Sequence, residues 1–583
     1  MRDRYDGYRR TTLNAKAYAE VTFLKDFKFA VNVGVGANRY KGWSGAYVYP
    51  EKGTAGSSTK SASNTTTWTI NQILSYSKNI GKHHVDVMVG HESYDYSYDY
   101  LSASMKGQIM PGDNFEFGNY TEISGTPSAY TNEYNVEGYL SRINYDYDGK
   151  YFVSGSYRRD GSSRFSPDSR WGNFWSVGAG WRIDLENFMK DVKWVNMLKL
   201  RASYGVIGND DTDGYYPWRA VYALDRNGVE PGYLQSTLGN VDLTWETSKN
   251  LDVALEFTLL NSRLNGTVEF FNRESSDLLF DISLPPSIGV DSQLKNAGTM
   301  RNRGVEITLD GTILNKNDWR WDVNVNATFL KNKVVELPME PYKSSMYFIM
   351  PGHSRYEFWL RQWAGVNPET GYNLYVADID NPDYEWEENE LIYKGDVAYT
   401  EDVEHAKYDW SGDAMPVVTG GFGTNLSWKN WDLNVMFYYQ LGGKYYDSTY
   451  ASLMSTGSGS LSFSKLHVDL LNRWKQPGDV TSIPKLTNGT DETNINASSS
   501  TRWLGSSNML EITSINLGYN VPAKILRHIN VANAKIYFSA SNPFMWAERV
   551  GMYPRRNFMS GYDGNADIYL PSRTFSFGLN LTF

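Results

Sequence analysis

Several polar clusters in this 583-residue chain have side chains that could bind a metal ion or transfer protons. The run Asn209–Gly214 places oxygen donors at alternate positions before a glycine, as an EF-hand calcium loop does. Such a loop also needs a glutamate six residues after its glycine, and Ala220 stands there. We therefore interpret this run as an ordinary polar loop.

Three histidines, His83, His84 and His91, lie close together in sequence and could serve as metal ligands. On a strand, His83 and His91 would share a face but stand roughly 26 Å apart, because each residue advances the strand by about 3.3 Å. That separation is too large for chelation. We interpret all three as strand residues and predict no metal site.

One stretch carries many carboxylates, which could be interpreted as the acid pair of a glycosidase. No two of them sit in the apolar surroundings that a raised pKa needs, so we favour a solvated acidic loop. The chain has no G-x-S-x-G, P-loop or H-E-x-x-H motif and no cysteine, so nothing argues for catalysis or a cofactor. The carboxylates are Asp378, Asp380, Asp383, Glu385, Glu387, Glu388 and Glu390.

Aromatic residues in the predicted loops could stack on sugar rings, although loop packing or the aromatic girdle of a membrane protein explains them equally well. The set comprises Trp218, Tyr233, Tyr347, Phe358, Trp359, Trp363, Trp503, Trp546 and Tyr553. From it we take Trp218, Tyr347, Trp359, Trp363, Trp503 and Trp546 as ligand-binding candidates.

Long alternating runs must position these loops. Within Val136–Ile183, apolar and polar residues alternate on both sides of Asp148-Gly149 and again from Trp175. Period-two alternation predicts strands, and Asp-Gly between two such runs predicts a hairpin because both turn residues adopt positive φ. Runs of roughly 10–14 residues exceed the usual globular strand and suit a tilted strand that crosses a membrane.

The same rhythm gives about seventeen strands, with short turns alternating with long segments. Short turns are predicted at Lys25-Asp26, Gly81-Lys82, Asp148-Gly149, Asn261-Ser262 and Lys429-Asn430. Long loops are predicted at about Lys41–Thr66, Asp99–Thr131, Ile207–Glu246 and Pro338–Met415, the last with a small hairpin of its own. The predicted fold is all-β: a transmembrane antiparallel β-barrel with short periplasmic turns and long extracellular loops.

The two faces of the predicted strands differ in the way that a barrel wall requires. On the last strand Phe575, Phe577, Leu579, Leu581 and Phe583 share one face, with small polar residues opposite. Elsewhere the polar face carries charge, which a water-filled lumen tolerates and a dry core does not. Outer-membrane lipid is therefore the expected partner of the apolar face. A net charge of −10 argues against nucleic acid.

The chain resembles the SusC/RagA-type TonB-dependent outer-membrane transporters of Bacteroidetes. The resemblance spreads over most of the chain and ends on an alternation that is similar to the signal for outer-membrane insertion, Phe575 to Phe583. The stretches that carry it are Tyr145–Ile183, Leu198–Asn209, Leu243–Phe257, Asn296–Leu309 and Ser572–Phe583.

The resemblance implies a 22-stranded barrel with a plug inside it, and an N-terminal TonB box. It also implies a SusD-like lipoprotein over the external loops, and TonB with ExbB and ExbD as the energy source. Residues 1–583 would form one barrel domain that is incomplete at its start, without a signal peptide, plug, TonB box or about five strands.

Three functions remain open on these grounds. The first is import of a bulky nutrient, an oligosaccharide or a peptide, across the outer membrane. The second is a surface adhesin or structural barrel that needs no plug. The third, a soluble β-rich polysaccharidase, fits poorly with charged and apolar faces on the same long strands.

If strands precede this chain in the whole barrel, the 583 residues alone leave two unpaired sheet edges, which lipid does not tolerate. We expect residues 1–583 expressed alone not to insert as a stable barrel. The test is a heat-dependent shift in gel mobility of the outer-membrane fraction. A folded, heat-modifiable band from this piece would contradict the expectation.

Overall fold

A computed structural model describes residues 4–49, 51, 53–227, 230–387, 389–454, 466–486, 500–527, 531–549, 553–556 and 571–583. The chain divides into two compact units. The first comprises Met1–Arg182, Arg201–Leu251 and Glu274–Thr299. The second comprises Ile183–Leu200, Asp252–Arg273 and Met300–Phe583.

Strands dominate both units. The first sixteen are β1 (Arg4–Phe23), β2 (Phe27–Tyr49), β3 (Thr54–Ile80), β4 (His83–Gln108), β5 (Tyr120–Ile123), β6 (Ser128–Tyr147), β7 (Tyr151–Ser162), β8 (Trp171–Arg182), β9 (Val195–Asn209), β10 (Val221–Asn227), β11 (Glu230–Thr237), β12 (Glu246–Leu259), β13 (Leu264–Ser276), β14 (Leu279–Ser283), β15 (Ser292–Asn296) and β16 (Thr299–Lys316).

The remaining strands are β17 (Trp319–Glu336), β18 (Tyr342–Ser344), β19 (Tyr347–Ile349), β20 (Glu357–Arg361), β21 (Trp363–Val366), β22 (Asn373–Val376), β23 (Ile392–Lys394), β24 (Val397–Thr400), β25 (Tyr408–Asp413), β26 (Val418–Trp428), β27 (Trp431–Leu441), β28 (Lys444–Tyr446), β29 (Leu504–Ser506), β30 (Met509–Asn520), β31 (Asn533–Ala547) and β32 (Thr574–Thr582). Two α-helices are described, α1 (Ser448–Met454) and α2 (Ala523–Leu526).

Eighteen of the described strands belong to the main antiparallel sheet, and one of them, β5, has only four residues. The prediction of about seventeen long strands and of an all-β antiparallel fold is thus confirmed. None of the helices in the described part of the chain has the length and apolar character needed to cross a membrane.

Each unit contains a run of strands that pair with their chain neighbours. In the first unit β1 pairs with β2, β2 with β3, β3 with β4, β4 with β6, and β6–β7–β8 follow. In the second unit β17, β26, β27, β30, β31 and β32 pair in that order. This up-and-down connectivity satisfies the backbone groups of each inner strand on both sides.

The predicted short turns lie where expected, and each of them contains a residue with positive φ. Asp148 and Gly149 have φ of 56° and 64°, and Tyr147 pairs with Tyr151 across the turn. Lys25 and Lys429 also adopt positive φ between paired strands. Such left-handed turns continue the twist of a hairpin, so they bring consecutive strands directly back alongside each other.

Two predicted long loops are wrong. The segment Lys41–Thr66 is mostly strand, since β2 and β3 stay paired as far as Tyr49 and Thr54. Similarly, β4 continues to Gln108 and β6 begins at Ser128, so both ends of the predicted loop Asp99–Thr131 are strand and only the connection from Ile109 to Pro127 remains, with the short strand β5 inside it. Along Thr54–Thr66 of β3, small and polar residues occupy both faces of the strand, whereas pairing of the backbone continues. A polar ribbon therefore carries no period-two signal.

The segment between β17 and β26 contains more than the single hairpin that we predicted. It forms two four-stranded sheets, one of β18, β19, β20 and β25 and one of β21–β24. A buried cluster of Phe358, Leu360, Tyr446 and Trp503 packs against the first of them. This long connection shares its core with the segment between β27 and β30, which supplies Tyr446 and Trp503.

Polar side chains bond across neighbouring strands on one face of each run. In the second unit the amides of Asn425, Asn434 and Asn516 and the hydroxyl of Ser539 form a ladder with steps of 2.6, 3.3 and 2.7 Å. In the first unit Asn32 donates to Asn71 at 2.8 Å. These ladders pair the polar groups with one another along the polar face of each run.

A separate core in the first unit joins two loops far apart in sequence. Phe165 and Leu243 have no exposed surface, and Phe174 and Trp245 pack beside them. Trp245 Nε1 donates to the carbonyl of Arg170 at 2.7 Å, and Ser169 Oγ donates to that of Leu243 at 2.8 Å. Two of the stretches that carry the family resemblance therefore meet at this core.

Truncation of Leu243 should weaken the loops more than the sheet. We expect Leu243→Ala to destabilise this core by about 2–5 kcal/mol, because it leaves a cavity among aromatic rings. Limited proteolysis across 163–170 measures the effect. Val241→Ala, at a position that is 60% exposed, is the matched control. Equal cleavage of the two variants would show that Leu243 does not hold the loops.

Candidate functional site

The predicted calcium-like run is occupied by protein hydrogen bonds. Asp210 Oδ2 accepts from Tyr134 and from Ser162, each at 2.6 Å. Arg164 Nη1 lies 3.0 Å from Asp211 Oδ1. Two of the carboxylates that a calcium ion would need thus fasten this loop to neighbouring side chains.

His83 and His84 are the first two residues of β4, and His91 lies further along the strand. All three bond to neighbouring side chains. His83 Nδ1 contacts Tyr145 Oη at 2.7 Å, and His91 Nδ1 contacts Gln72 Oε1 at 2.8 Å. His84 Nε2 contacts Asp86 at 2.8 Å. These contacts agree with the interpretation of all three as strand residues.

One member of the acidic stretch is not simply solvated. Glu390 Oε1 lies 2.5 Å from His405 Nδ1, and Asp402 approaches the same nitrogen at 3.9 Å. The rings of Tyr384 and Trp386 pack against the imidazole at 4.7 and 4.9 Å. Asp380 lies 4.0 Å from Lys407. Glu388 lies outside the described residues.

The His405–Glu390 contact shifts both groups toward their charged forms. The hydrogen bond that His405 donates to Glu390 raises the pKa of His405, with partial burial acting in the opposite direction. Burial raises the pKa of Glu390, but hydrogen bonds from His405, from the backbone of Glu387 and from Thr400, together with the charge of the imidazole, outweigh burial, so the pKa lies below its ordinary value. An ion pair therefore anchors this acidic loop.

The aromatic candidates divide between buried and exposed positions. Phe358 and Trp503 are buried, Tyr347 packs against Phe358 at 5.1 Å, and Tyr553 donates its hydroxyl to Glu511. These four positions stabilise loop structure.

Other candidates are partly or fully accessible. Trp359 packs edge-on against Trp410 with ring centroids 5.0 Å apart, and Trp218 Nε1 donates to the carbonyl of Ser163 at 3.4 Å. Tyr233 and Trp546 are 81% and 53% exposed. Trp218 and Tyr233 in the first unit do not form a common site, and neither do Trp359 and Trp546 in the second unit.

Trp363 and Trp503 do meet, through an arginine that sequence reasoning missed. The Arg502 guanidinium lies 5.4 Å from the Trp363 ring and 4.4 Å from the Trp503 ring. It donates to Asn373 Oδ1 and to the carbonyl of Ser482, both at 3.3 Å. Among the residues the structure describes, Arg502 forms no ion pair with a carboxylate.

Arg502 and Trp503 line a cavity of about 550 Å³ in the loops of the second unit, which we call the loop pocket. Its other walls come from the ends of β28 and β29, from α1 and from the segment after β31. The lining residues are Tyr445, Asp447, Tyr450, His467, Asp469, Arg502, Trp503, Leu504, Gly505, Glu548 and Arg549.

A network of bonds fixes the wall around Tyr450. The Tyr450 hydroxyl donates to Asp469 Oδ2 at 2.8 Å, and Arg549 lies over its ring at 3.6 Å. Arg549 Nε also contacts Asp447 at 3.0 Å. Most charges of the loop pocket are thus already matched within the protein, which leaves Arg502 as a cation without an acidic partner in the described chain.

Burial controls the titration of the pocket. It lowers the pKa of Arg502 to about 10, so the guanidinium still carries its charge at neutral pH. It raises the pKa of Tyr445 to about 12 and raises the pKa of Tyr450, so both phenols stay neutral. Neutral aromatic faces beside a desolvated cation can bind a polar ligand that has both a ring or chain to stack and an anionic or carbonyl group.

The row Phe575, Phe577, Leu579, Leu581 lies along β32, and its members are 43% to 83% exposed. Phe583 follows the strand and is 85% exposed. Phe577 pairs with Phe538 and Leu579 with Ile536 on β31, so the apolar face extends across two strands. An accessible apolar face is what the predicted contact with lipid requires, whereas a compact soluble core would bury it.

Long paired antiparallel strands with one accessible apolar face, joined by short turns and by large structured loops, form the kind of sheet that membrane-spanning β-proteins have. The family model described as "TonB dependent receptor-like, beta-barrel" matches residues 1–463. The chain belongs to that family.

Named relatives agree with this family. The chain is 27% identical to "TonB-dependent receptor P3" of Formosa agariphila over 99% of its length, and 25% identical to "TonB-dependent receptor SusC" of Bacteroides thetaiotaomicron over 88%. Among solved structures, "Structure of the RagAB peptide transporter" matches with a TM-score of 0.87 at 25% identity over the whole chain. The predicted membership of the SusC/RagA group is confirmed.

The chain spans only part of these proteins. It covers 58% of the P3 receptor, 50% of SusC and 63% of the solved RagAB chain. The relatives are named as receptors or transporters and none of them as an enzyme.

The acidic loop should respond to pH through its ion pair. Because the pKa of His405 is raised on folding, the stabilisation is complete below the ordinary imidazole value of about 6.5 and is lost as pH rises through the raised value. Because the pKa of Glu390 is lowered, stabilisation is complete above about 4.3 and is lost as pH falls through the lowered value. We therefore expect hydrogen-exchange protection of 397–405 to be greatest between about pH 4.5 and 6.5.

His405→Gln should remove this pH dependence, whereas His467→Gln, in the loop pocket, should leave it intact. Exchange rates are corrected for the intrinsic effect of pH on amide chemistry. Protection of 397–405 that does not change between pH 5 and pH 9 in the unsubstituted protein would contradict the role of the pair.

Proposed function

We propose that the protein containing this chain imports a bulky nutrient, an oligosaccharide or a peptide, across the outer membrane in a TonB-dependent manner. The observation that carries the proposal is the family match over residues 1–463, together with the likeness to SusC and to the RagAB peptide transporter. This chain supplies most of the barrel wall and the external loops.

The strand faces support a membrane location. Within the second unit, Leu579 and Ile536 are paired and lie on the apolar face of the sheet. Asn434 and Asn516 form part of the polar ladder, and the residues next to them in sequence, on the other face of the same strands, are apolar. One face can meet hydrocarbon while the other is hydrated, because side chains alternate along every strand. A soluble protein has no comparable use for an apolar face at the accessible surface.

The loop pocket supports recognition of the nutrient outside the membrane. It lies in the long connection from β27 to β30, opposite to the short turn at Lys429-Asn430. Tyr450 presents aromatic surface beside the buried Trp503, and Arg502 presents a charge that no carboxylate of the described chain neutralises. A carboxylate, sulfate or carbonyl oxygen of the ligand would complete its hydrogen bonds.

The partners follow from the same family. A SusD-like lipoprotein would cover the external loops as a lid and share the ligand with the loop pocket. TonB, with ExbB and ExbD, would supply mechanical work through segments outside these 583 residues. The chain itself is a conduit and a binding surface, and it needs no catalytic group or cofactor for either role.

We expect loss of the gene to abolish growth on one class of nutrient. A deletion strain is grown on panels of oligosaccharides and of peptides as sole carbon or nitrogen source. Import through this protein predicts a selective defect that the full-length gene restores. Unchanged growth on every substrate, with reduced attachment to surfaces, would instead identify an adhesin.

Arg502→Gln tests the pocket within the restored strain. Removal of a charged hydrogen-bond donor to the ligand costs about 1.5–3 kcal/mol, so half-maximal uptake should need roughly tenfold or more substrate. Arg527→Gln, at an exposed position outside the pocket, is the matched control. Equal uptake by both variants at limiting substrate would exclude Arg502 from ligand binding.

A further inference from the structure

Three cations in the first unit form a surface patch that the proposed transport function does not use. We call Arg9, Arg39 and Lys41 the rim patch. Arg9 stands directly opposite Lys41 on the β1–β2 ladder, and Arg39 lies two residues before Lys41. All three are exposed.

The register of β1 and β2 places the rim patch on the apolar side of the sheet. Pairing runs without a shift from Arg4↔Ala46 to Phe23↔Phe27. Because successive side chains alternate, Arg9 shares its face with Leu13 and every second residue down to Phe23. On β2, Arg39 and Lys41 likewise share their face with the odd-numbered run from Phe27 to Ala37.

The patch begins where the apolar run ends. From Phe27 to Ala37 this face of β2 carries no charged residue, and Arg39 and Lys41 follow at once. Twelve residues separate Phe27 from Arg39. At about 3.4 Å per residue and a tilt of about 40°, Arg39 lies roughly 30 Å above the short turn, just beyond an apolar band of about 25 Å. Arg9 and Lys41 lie one step higher.

The arrangement is unfavourable without an anion. Side chains directly opposite on an antiparallel pair approach within about 5 Å, and like charges there repel. In the described part of the chain none of the three cations forms an ion pair. Asp99 of β4 lies on the same face of the sheet as Arg39, two strands away from it. The carboxylate of Asp99 accepts a hydrogen bond from Thr131 at 2.7 Å.

A cavity of about 660 Å³ adjoins the patch and is lined by Arg9 and Lys41. Tyr5 and Phe115 stack at 4.3 Å along its wall, beside Trp43. Its two acids are already engaged, because Asp113 accepts from Tyr47 at 2.8 Å and Glu116 pairs with Lys60. Aromatic rings and cations at this height match the boundary between acyl chains and charged headgroups.

We propose that the rim patch binds the phosphorylated headgroup of a glycolipid in the outer leaflet, the lipid A part of lipopolysaccharide. A phosphate between Arg9 and Lys41 would turn their mutual repulsion into two charge-assisted hydrogen bonds, and Arg39 would contact the same group from below. The adjoining rings would pack on the sugar and proximal acyl carbons. The inference rests on the outer-membrane location proposed above, and it adds a lipid ligand that transport itself does not require.

The test uses the full-length protein, purified in detergent and stripped of lipopolysaccharide. Binding is titrated with phosphorylated lipid A, with the same lipid A after removal of its phosphates, and with inorganic pyrophosphate. We expect Arg9→Gln/Lys41→Gln to weaken binding of phosphorylated lipid A about 30-fold, since each cation near an anionic lipid surface contributes roughly fivefold. Arg39→Gln should weaken it by about fivefold.

Lys25→Gln/Lys429→Gln is the matched control, because it removes two exposed cations at short turns. Heat-dependent gel mobility verifies that each variant is folded. Unaltered affinity in the Arg9→Gln/Lys41→Gln protein, or equal affinity for lipid A with and without phosphates, would overturn the proposal. Pyrophosphate bound as tightly as lipid A would also overturn it, since that identifies a site for free anions.

Nutrient uptake by the same variants separates this inference from the proposed function. Weaker lipid A binding with normal uptake supports a lipid site in a working transporter. Normal lipid A binding by the rim-patch variant refutes the lipid site, whatever the uptake. A deletion strain without any uptake defect refutes the transport proposal. The lipid A titration alone then decides whether the rim patch binds lipid.

Discussion

Uninterrupted backbone pairing along strands of up to 27 residues is the constraint on which the rest of the structure depends. Each inner strand exchanges its N–H and C=O groups with two neighbours, so the side chains are free to specialise by face. The register holds over all twenty pairs of β1 and β2, so whether a residue's number is odd or even decides which face of the sheet its side chain occupies. The apolar rows, the amide ladders and the rim patch all follow from that parity.

The sequence predicted the features that depend on local chemistry. Asp148-Gly149 is a turn because few residue types tolerate positive φ, and aspartate and glycine are two of them. Alternation identified the membrane-level part of nearly every long strand for a similar reason. A one-residue slip would transfer all apolar side chains to the wrong face, so the pattern must be strict there.

The sequence did not predict what forms only through distant contacts. The extension of β3 has small and polar residues on both faces, so nothing in its sequence predicts a strand and only its pairing with β2 and β4 makes it one. Phe165 and Leu243 are far apart in the chain, and neither lies in an apolar run that would indicate a core. Arg502 was overlooked because a single arginine beside a tryptophan has no signature. Only the fold brings Trp363 next to the guanidinium of Arg502 and leaves Arg502 without a carboxylate partner in the described chain.

The paired ribbon of β2 and β3 has a mechanical consequence. Above the apolar band the two strands stay paired as far as Tyr49 and Thr54, with one interruption at Tyr47 and Gly56, and β1 and β4 flank them over most of this length. Such a paired ribbon is stiffer than an unpaired loop of the same length. On a living cell it would hold an inserted epitope at a fixed height above the bilayer, where antibodies and phages can reach it.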